Sequence, residues 1–195
     1  DIFVGTEFNA FKDKTVKAIV TENMEEKPRK FFDAMSDFAV QELDAKGLAW
    51  VKVDQDGNLN GGISKFIDED RKAKIFERMN VKPNSAIFFV ADEYNKAVKI
   101  AGGVRIKLGN ELDILEKDVY RFCFIVDFPM YELSDEGTID FNHNPFSMPQ
   151  GGLEALNTKD PLDIYAYQYD AVCNGYEILS GAVRNHDQDI MVKAF

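Results

Sequence analysis

The sequence contains only two cysteines, few basic residues and no long apolar run. Its 195 residues include 23 Lys or Arg and 34 Asp or Glu, so the net charge is −11. A surface of this sign repels a phosphate backbone unless basic residues gather on one face. The densest basic cluster, Arg71, Lys72 and Lys74, is interleaved with acids, which favours a solvated helix face over a nucleic-acid contact.

The lack of long apolar runs and the small number of cysteines also bear on the compartment of the protein. No apolar run approaches the roughly 20 residues that cross a bilayer, so we expect no membrane segment. Cys123 and Cys173 lie in apolar stretches without metal-ligand spacing, which predicts two buried free thiols and disfavours a zinc site. This cysteine usage indicates the reducing cytoplasm. The chain starts at Asp1 without an initiator Met or a signal-peptide pattern, and we expect a piece of a longer protein.

Residues 1–116 are predicted to form an α+β domain, a two-layer sandwich of helices on a sheet. Its elements follow the order β-α-β-β-α-β-α: a strand at 16–21, a helix that begins at Pro28 and is capped by Gly47, strands at 48–54 and 59–66, a helix capped by Asp68, a strand at 85–91 and a third helix. The third helix is expected to bury Tyr94, Ala97, Val98, Ala101 and Leu108. The pair Gly102-Gly103 within it indicates close packing or a kink.

Residues 117–195 are predicted to form part of an antiparallel sheet. A strong β segment at 120–131 is stopped by Pro129, and a polar, irregular region at 132–160 follows it. Two further strands, 165–173 and 176–184, flank Asn174-Gly175, which is a strong hairpin signal. A sheet of these strands alone leaves edges open and one face bare, so we expect this domain to be incomplete.

The predicted hairpin brings two acids together. With Asn174-Gly175 as the turn, Val172 lies opposite Glu177, and Asp170 becomes a diagonal neighbour of Glu177 on the same face. Such neighbours lie about 7–8 Å apart. Two carboxylates on a rigid sheet suit Mg²⁺, which takes one or two carboxylates and substrate phosphates. The alternative is a pair of exposed sheet acids.

Arg184 and the two histidines are the other candidates for chemistry. Strict alternation puts Arg184 on the face opposite Glu177, but a bulge at Ser180-Gly181 would reverse that parity. Arg184 would then hold an anionic substrate with two parallel hydrogen bonds, or would merely neutralise the nearby acids. His143 lies in the irregular region, where a histidine is either a ligand contact or a surface residue. We expect a structural role for His186.

Several segments resemble consecutive blocks of the bacterial-type aspartyl-tRNA synthetase family, a class II family. The matching stretches are FIVDFPMY at 124–131, HNPF at 143–146, Tyr169-Asp170 leading into Asn174-Gly-Tyr-Glu177, and Ala182-Val-Arg184 with His186. Residues 1–116 are similar to the inserted domain of the family (the GAD type), which also occurs in an amidotransferase subunit that corrects mischarged tRNA. The resemblance covers essentially the whole chain, with residues 117–195 as part of the catalytic domain.

The resemblance implies a role for each candidate residue. Glu177 would contact ATP and, with Asp170, hold Mg²⁺, while Arg184 and His143 would bind the L-aspartate substrate, His143 from a mobile loop. The implied reaction makes aspartyl-adenylate from aspartate and ATP and then transfers the aspartyl group to tRNA(Asp), with tRNA(Asn) as a further acceptor in some members. No residue of this chain is expected to react covalently.

The chain also departs from the family pattern. Many members have a second histidine at Asn144, and three glycines and a serine where this chain reads Leu179-Ser180-Gly181-Ala182. The class-defining motifs that clamp ATP and build the parental homodimer are missing, so we expect an inactive and monomeric chain. Two alternatives stay open at this point: a free tRNA- or protein-interaction module in the first 115 residues, and a related class II ligase for asparagine or lysine.

Overall fold

The computed structural model describes residues 2–134 and 136–195. It divides into two compact units, Asp1–Leu115 and Glu116–Phe195. The division falls next to the predicted domain boundary after residue 116. Within the described ranges, no helix combines the length and the apolar character that crossing a bilayer would need.

The first unit is a four-stranded antiparallel sheet with three helices, in the predicted order β-α-β-β-α-β-α. Its elements are β1 (Thr15–Thr21), α1 (Arg29–Leu43), β2 (Ala49–Val53), β3 (Leu59–Asn60), α2 (Glu69–Met79), β4 (Ala86–Asp92) and α3 (Tyr94–Glu111). The strands lie in the order β1-β4-β2-β3, so β4 is central and both of its neighbours run antiparallel to it. The predicted α+β class is confirmed.

The core of this unit lies on both faces of β4, because successive side chains of a strand point to opposite sides. Phe88 and Val90 pack against apolar residues of α1 and α3. Ile87 and Phe89 pack on the other face against α2 and against the N-terminal segment, which contributes Phe3, Phe8 and Phe11. A central strand buried on both faces explains why its sequence is a continuous apolar run.

Several local predictions for this unit are confirmed. Asp68 caps α2, since its carboxylate accepts a hydrogen bond from the Arg71 backbone N–H at 2.8 Å. The basic cluster of α2 is paired with its own acids: Arg71 with Asp68, Lys72 with Glu69, and Lys74 with Asp70. The close packing predicted at Gly102-Gly103 is present at Gly103, which lies against Leu43 of α1.

Three local predictions are wrong. The first helix ends at Leu43, where Asp44 takes the left-handed conformation (φ 53°), so Gly47 is not its cap. The second strand of the hairpin is only two residues long, because Gly61 and Gly62 turn the chain closely over Trp50. The buried side of α3 consists of Ala97, Ile100, Val104, Leu108 and Gly109, whereas Tyr94 and Val98 are exposed.

The second unit contains a three-stranded and a two-stranded antiparallel sheet. Its elements are β5 (Phe122–Pro129), β6 (Tyr131–Leu133), β7 (Ile139–Phe141), α4 (Gly152–Thr158), β8 (Tyr165–Cys173), β9 (Tyr176–Ala182) and α5 (Gln188–Ala194). The larger sheet has the order β5-β8-β9, and β6 pairs with β7. The stretch predicted to be irregular therefore contains a short hairpin and a helix, which corrects the expectation for 132–160.

One face of the larger sheet is exposed, as the sequence predicted. We call it the aromatic face; it consists of Phe124, Val126, Tyr165, Tyr167 and Tyr169, which are between 38% and 68% exposed. The prediction of two buried thiols is wrong: Cys123 is exposed and Cys173 is half-buried, both free. Cys123 lies on β5, which is an edge strand of the described sheet.

Candidate active site

The β8–β9 hairpin is built on its two turn residues. Asn174 (φ 51°) and Gly175 (φ 86°) both have positive φ, as a type I′ turn requires. The Asn174 side chain also accepts from the Arg121 backbone N–H and donates to the Val119 carbonyl, both at 2.8 Å. The resulting pairs are Cys173 with Tyr176 and Val172 with Glu177, and the second is the pair predicted from the sequence.

A bulge in β9 decides which side chains share a face with Glu177. Val172 pairs with Glu177 but Ala171 pairs with Leu179, so Ile178 is an extra residue without a partner across the ladder. The predicted reversal of parity is therefore present, but at Ile178 and not at Ser180-Gly181. Beyond the bulge Ser180 lies opposite Asp170 in regular pairing.

A cavity of about 340 Å³ opens on this face of the sheet. It is lined by Phe128, His143, Asn144, Gln168, Asp170, Glu177, Ser180, Gly181 and Ala182. The structure thus brings together three of the four predicted site residues, His143, Asp170 and Glu177. They come from a loop and two strands, and the hairpin register accounts for the shared face of the two acids, whereas the Ile178 bulge brings Ser180 onto that face as well.

Arg184, the fourth predicted residue, is not part of this lining. Its guanidinium carbon lies 4.8 Å from the centre of the Phe146 ring. The backbone around it is paired with the loop that follows His143: Ser147 forms a bridge with Arg184, and the Asn185 N–H donates to the Phe146 carbonyl at 2.8 Å. Arg184 and His143 are therefore connected through one short segment, although only His143 lines the cavity.

The two histidines differ in their surroundings. The His143 ring meets the Phe128 ring edge-on, with 5.2 Å between the centroids, and Phe128 itself lines the cavity. His186 is exposed, and its Nδ1 lies 3.4 Å from the Arg184 carbonyl oxygen. The structure places His186 outside the cavity lining, and the structural role expected for it stays a prediction.

The charge of the cavity wall favours a cation. Among the described residues its lining includes two carboxylates, Asp170 and Glu177, and no lysine or arginine. Asp170 is half-buried and Glu177 is exposed. No group of three or more His, Cys, Asp or Glu side chains converges as a metal site within the described ranges. Two carboxylates suffice for Mg²⁺ when substrate phosphates and water supply the remaining oxygen ligands, so the residues present fit this ion.

Sequence reasoning did not single out Gln168 or Phe128. Gln168 is two residues before Asp170 on β8, so strict alternation could have placed it in the same wall. Phe128 follows a shift in the pairing of β5 with β8, at which Asp127 (φ 58°) alone lies opposite both Tyr167 and Gln168. The Asp127 carboxylate accepts a hydrogen bond from Gln150 Nε2 at 2.8 Å, a contact that no local pattern indicates.

Comparison with known proteins finds similarity in both units. Residues 8–101 match the family model described as the GAD domain. An aspartate–tRNA ligase from Streptomyces avermitilis is 54% identical over 196 aligned residues, which cover all of this chain and 33% of that protein. One from Streptomyces coelicolor is 52% identical with the same coverage. The aspartate–tRNA(Asp/Asn) ligase of Wolbachia pipientis from Culex pipiens is 49% identical and is covered to 34%.

The fold and these similarities define the class of the chain: an α+β protein whose first unit contains a GAD domain and whose second unit contains antiparallel sheets. Along its whole length the chain is similar to bacterial aspartate–tRNA ligases, with identities of 49%, 52% and 54% to the three relatives named above. It spans about a third of the length of the curated relatives that it matches.

Proposed function

We propose that the chain is part of an aspartate–tRNA ligase that activates L-aspartate with ATP and transfers the aspartyl group to tRNA(Asp). The main support is the cavity in which His143, Asp170 and Glu177 meet. An interaction module that only binds a partner has no need of two acids and a histidine in one wall. The enzyme is proposed to work in the cytoplasm.

Asp170 and Glu177 are the proposed holders of the metal nucleotide. Glu177 would contact ATP and, with Asp170, would hold Mg²⁺, which would neutralise charge on the phosphates. Catalysis by this part of the protein is then mainly positioning and charge stabilisation.

Arg184 and His143 are the proposed contacts of the aspartate substrate. A guanidinium can hold the side-chain carboxylate with two parallel hydrogen bonds, which selects an acid over an amide or an amine. For this role the exposed Arg184 side chain turns from the Phe146 ring toward the cavity. This selectivity argues against a ligase for asparagine or lysine.

The proposed reaction has two steps. The α-carboxylate of aspartate attacks the α-phosphate of ATP, which gives aspartyl-adenylate and pyrophosphate. The terminal ribose hydroxyl of the tRNA then attacks the activated carbonyl and releases AMP. Both steps need groups that hold the reactants in line, and the residues of this cavity supply only part of them.

The test uses the full-length protein that carries this chain and measures aspartate-dependent ATP–pyrophosphate exchange. We expect activity in the wild type and its loss in Arg184→Leu, with ATP binding largely unchanged. Arg105→Leu, which removes an exposed arginine from α3, is the matched control and should keep full activity. Normal exchange by Arg184→Leu would count against the assignment.

The 195-residue chain alone is proposed to be inactive and monomeric. Its cavity contains no cationic side chain for the phosphates among the described residues. Size-exclusion chromatography with light scattering should give the mass of one chain, and pyrophosphate exchange should be absent. Exchange by the pure chain would contradict this proposal.

The second candidate function, a free tRNA-binding module in the first unit, has weaker support. Arg71, Lys72 and Lys74 are paired with acids of α2 or its cap, so this cluster leaves little positive charge for a phosphate backbone. We expect residues 1–115 to bind tRNA weakly or not at all at physiological salt. Tight binding of tRNA in a titration would favour the module instead.

Acceptor choice is a separate question. The Wolbachia relative is named for both tRNA(Asp) and tRNA(Asn), and the Streptomyces relatives carry the shorter name. Asn144 and Ser180, two of the departures from the family pattern, line the cavity, where they would affect the shape of the amino-acid pocket. Charging of purified tRNA(Asn) by the full-length protein decides between the two specificities.

A further inference from the structure

Gln168 is a buried amide in the wall of the candidate active site. Only 8% of the residue is exposed, and it lies on β8 two residues before Asp170 and opposite Ala182. Its side chain faces the same cavity as Asp170 and Glu177. A buried carboxamide is costly unless it is hydrogen-bonded, so the partners of Gln168 indicate what the residue does.

Gln168 Nε2 donates to the backbone carbonyl oxygen of Asn144 at 3.2 Å. This bond joins β8 to the loop that carries His143, across 24 positions of the sequence. The same carbonyl accepts a local bond from the Ser147 N–H at 3.2 Å, and Asn144 Oδ1 accepts from the Phe146 N–H at 2.9 Å. The local bonds shape the turn, whereas the bond from Gln168 attaches that turn to the sheet.

We propose that Gln168 is a positioning residue for His143. By holding the carbonyl of the next residue, Asn144, it fixes the backbone that directly follows His143 and so limits the directions that the His143 ring can take at the cavity. Gln168 acts through the loop and needs no contact with the substrate. The consequence for aspartate binding rests on the function proposed above, whereas the positioning of the histidine does not.

The positioning itself can be tested on the 195-residue chain, which contains only two histidines. In ¹H–¹³C NMR spectra of the imidazole groups, Gln168→Met should shift or broaden the His143 signal and leave that of His186 unchanged. Methionine has similar volume but no donor. Gln168→Asn, which stays polar but is one methylene too short, should give the same result. Gln41→Met, at an exposed glutamine of α1, is the matched control.

An unchanged His143 signal in folded Gln168→Met and Gln168→Asn would overturn the proposal. Circular dichroism of each variant shows whether it is folded. This result does not depend on any enzymatic activity, so it separates a failure of the positioning role from a failure of the proposed function.

The consequence for catalysis is tested in the full-length protein. Gln168→Met should raise KM for aspartate about fivefold, the factor that corresponds to one lost neutral hydrogen bond, with kcat and KM for ATP nearly unchanged. In a His143→Ala background the same substitution should have no further effect, because Gln168 acts through His143. A further rise of KM in that background would contradict the proposal. Absence of aspartate-dependent exchange in the wild type would reject the proposed function and leave the NMR result standing.

Discussion

Gly102 and Gly103 are adjacent in the middle of α3, and the structure predicts different effects when each is replaced by alanine. A Cβ atom added at Gly102 meets no heavy atom within 4 Å. A Cβ added at Gly103 would lie 2.7 Å from both Cδ atoms of Leu43, in the contact between α1 and α3. The two positions therefore share the backbone effect of the substitution and differ in packing.

The magnitudes follow from these two contributions. Replacing glycine by alanine inside a helix stabilises it by about 0.8–1 kcal/mol. Gly102→Ala should gain this amount. Gly103→Ala gains the same helix propensity but overpacks the contact with Leu43, which typically costs about 1–3 kcal/mol. Since Leu43 is only half-buried and its methyl groups can move, we expect the cost at the lower end and a net destabilisation of about 1 kcal/mol at most.

The assay is urea unfolding of the 195-residue chain, followed by fluorescence of Trp50. This is the only tryptophan in the sequence, and it lies in the first unit, so the signal reports the unit that contains α3. A Leu43→Ala background supplies the control: there Gly103→Ala should become stabilising by about 1 kcal/mol, as Gly102→Ala is. Equal stabilisation by both substitutions in the presence of Leu43 would refute the packing argument.

Three further predictions test other parts of the molecule. Phe32→Ala should destabilise the first unit by about 3–5 kcal/mol in the same assay, because Phe32 is fully buried and stacks on Trp50 at 4.3 Å; a loss below about 1 kcal/mol would contradict it. Asn174→Ala should speed hydrogen exchange of the β8–β9 amides, since it forces alanine to φ 51° at a cost of about 1–2 kcal/mol, whereas Asn174→Gly should be milder. The backbone N–H of Asn58 holds the pKa of Asp54 below its usual value of 3.8, so the stability from ionised Asp54 is present above that pH and is lost as the pH falls through the lower folded pKa. Acid unfolding of Asp54→Asn should therefore show a smaller loss of stability below about pH 4 than that of the wild type. An equal loss in the two proteins would exclude this contribution of Asp54.

The hairpin is the part of the site that the sequence predicts best. A two-residue Asn-Gly turn admits few backbone geometries, and each fixes the register of the strands beside it. The pairing of Val172 with Glu177 could therefore be predicted before any coordinates. The same rule places Asp170 in the wall with Glu177, since both acids lie within a few residues of the turn.

Features set by tertiary packing are harder to predict from the sequence. Both Ile178 and Ser180-Gly181 could hold a bulge, and the choice depends on how β9 pairs with β8 and with the 146–148 segment. The side chain of Arg184 has several rotatable bonds, and its position over Phe146 follows from a loop that is distant in sequence. Asp44 ended the first helix three residues before the expected glycine, because aspartate also tolerates the left-handed region.

The cavity and the aromatic face lie on opposite faces of the β5-β8-β9 sheet. Along β8, Gln168 and Asp170 face the cavity while Tyr167 and Tyr169 lie on the exposed aromatic face. Because side chains alternate with a period of two, a slip of one residue in β8 would bring tyrosines into the cavity and move the acid out of it. The turn at Asn174-Gly175 resists this slip, so the residues that make the hairpin fold correctly are also those that keep the two acids together.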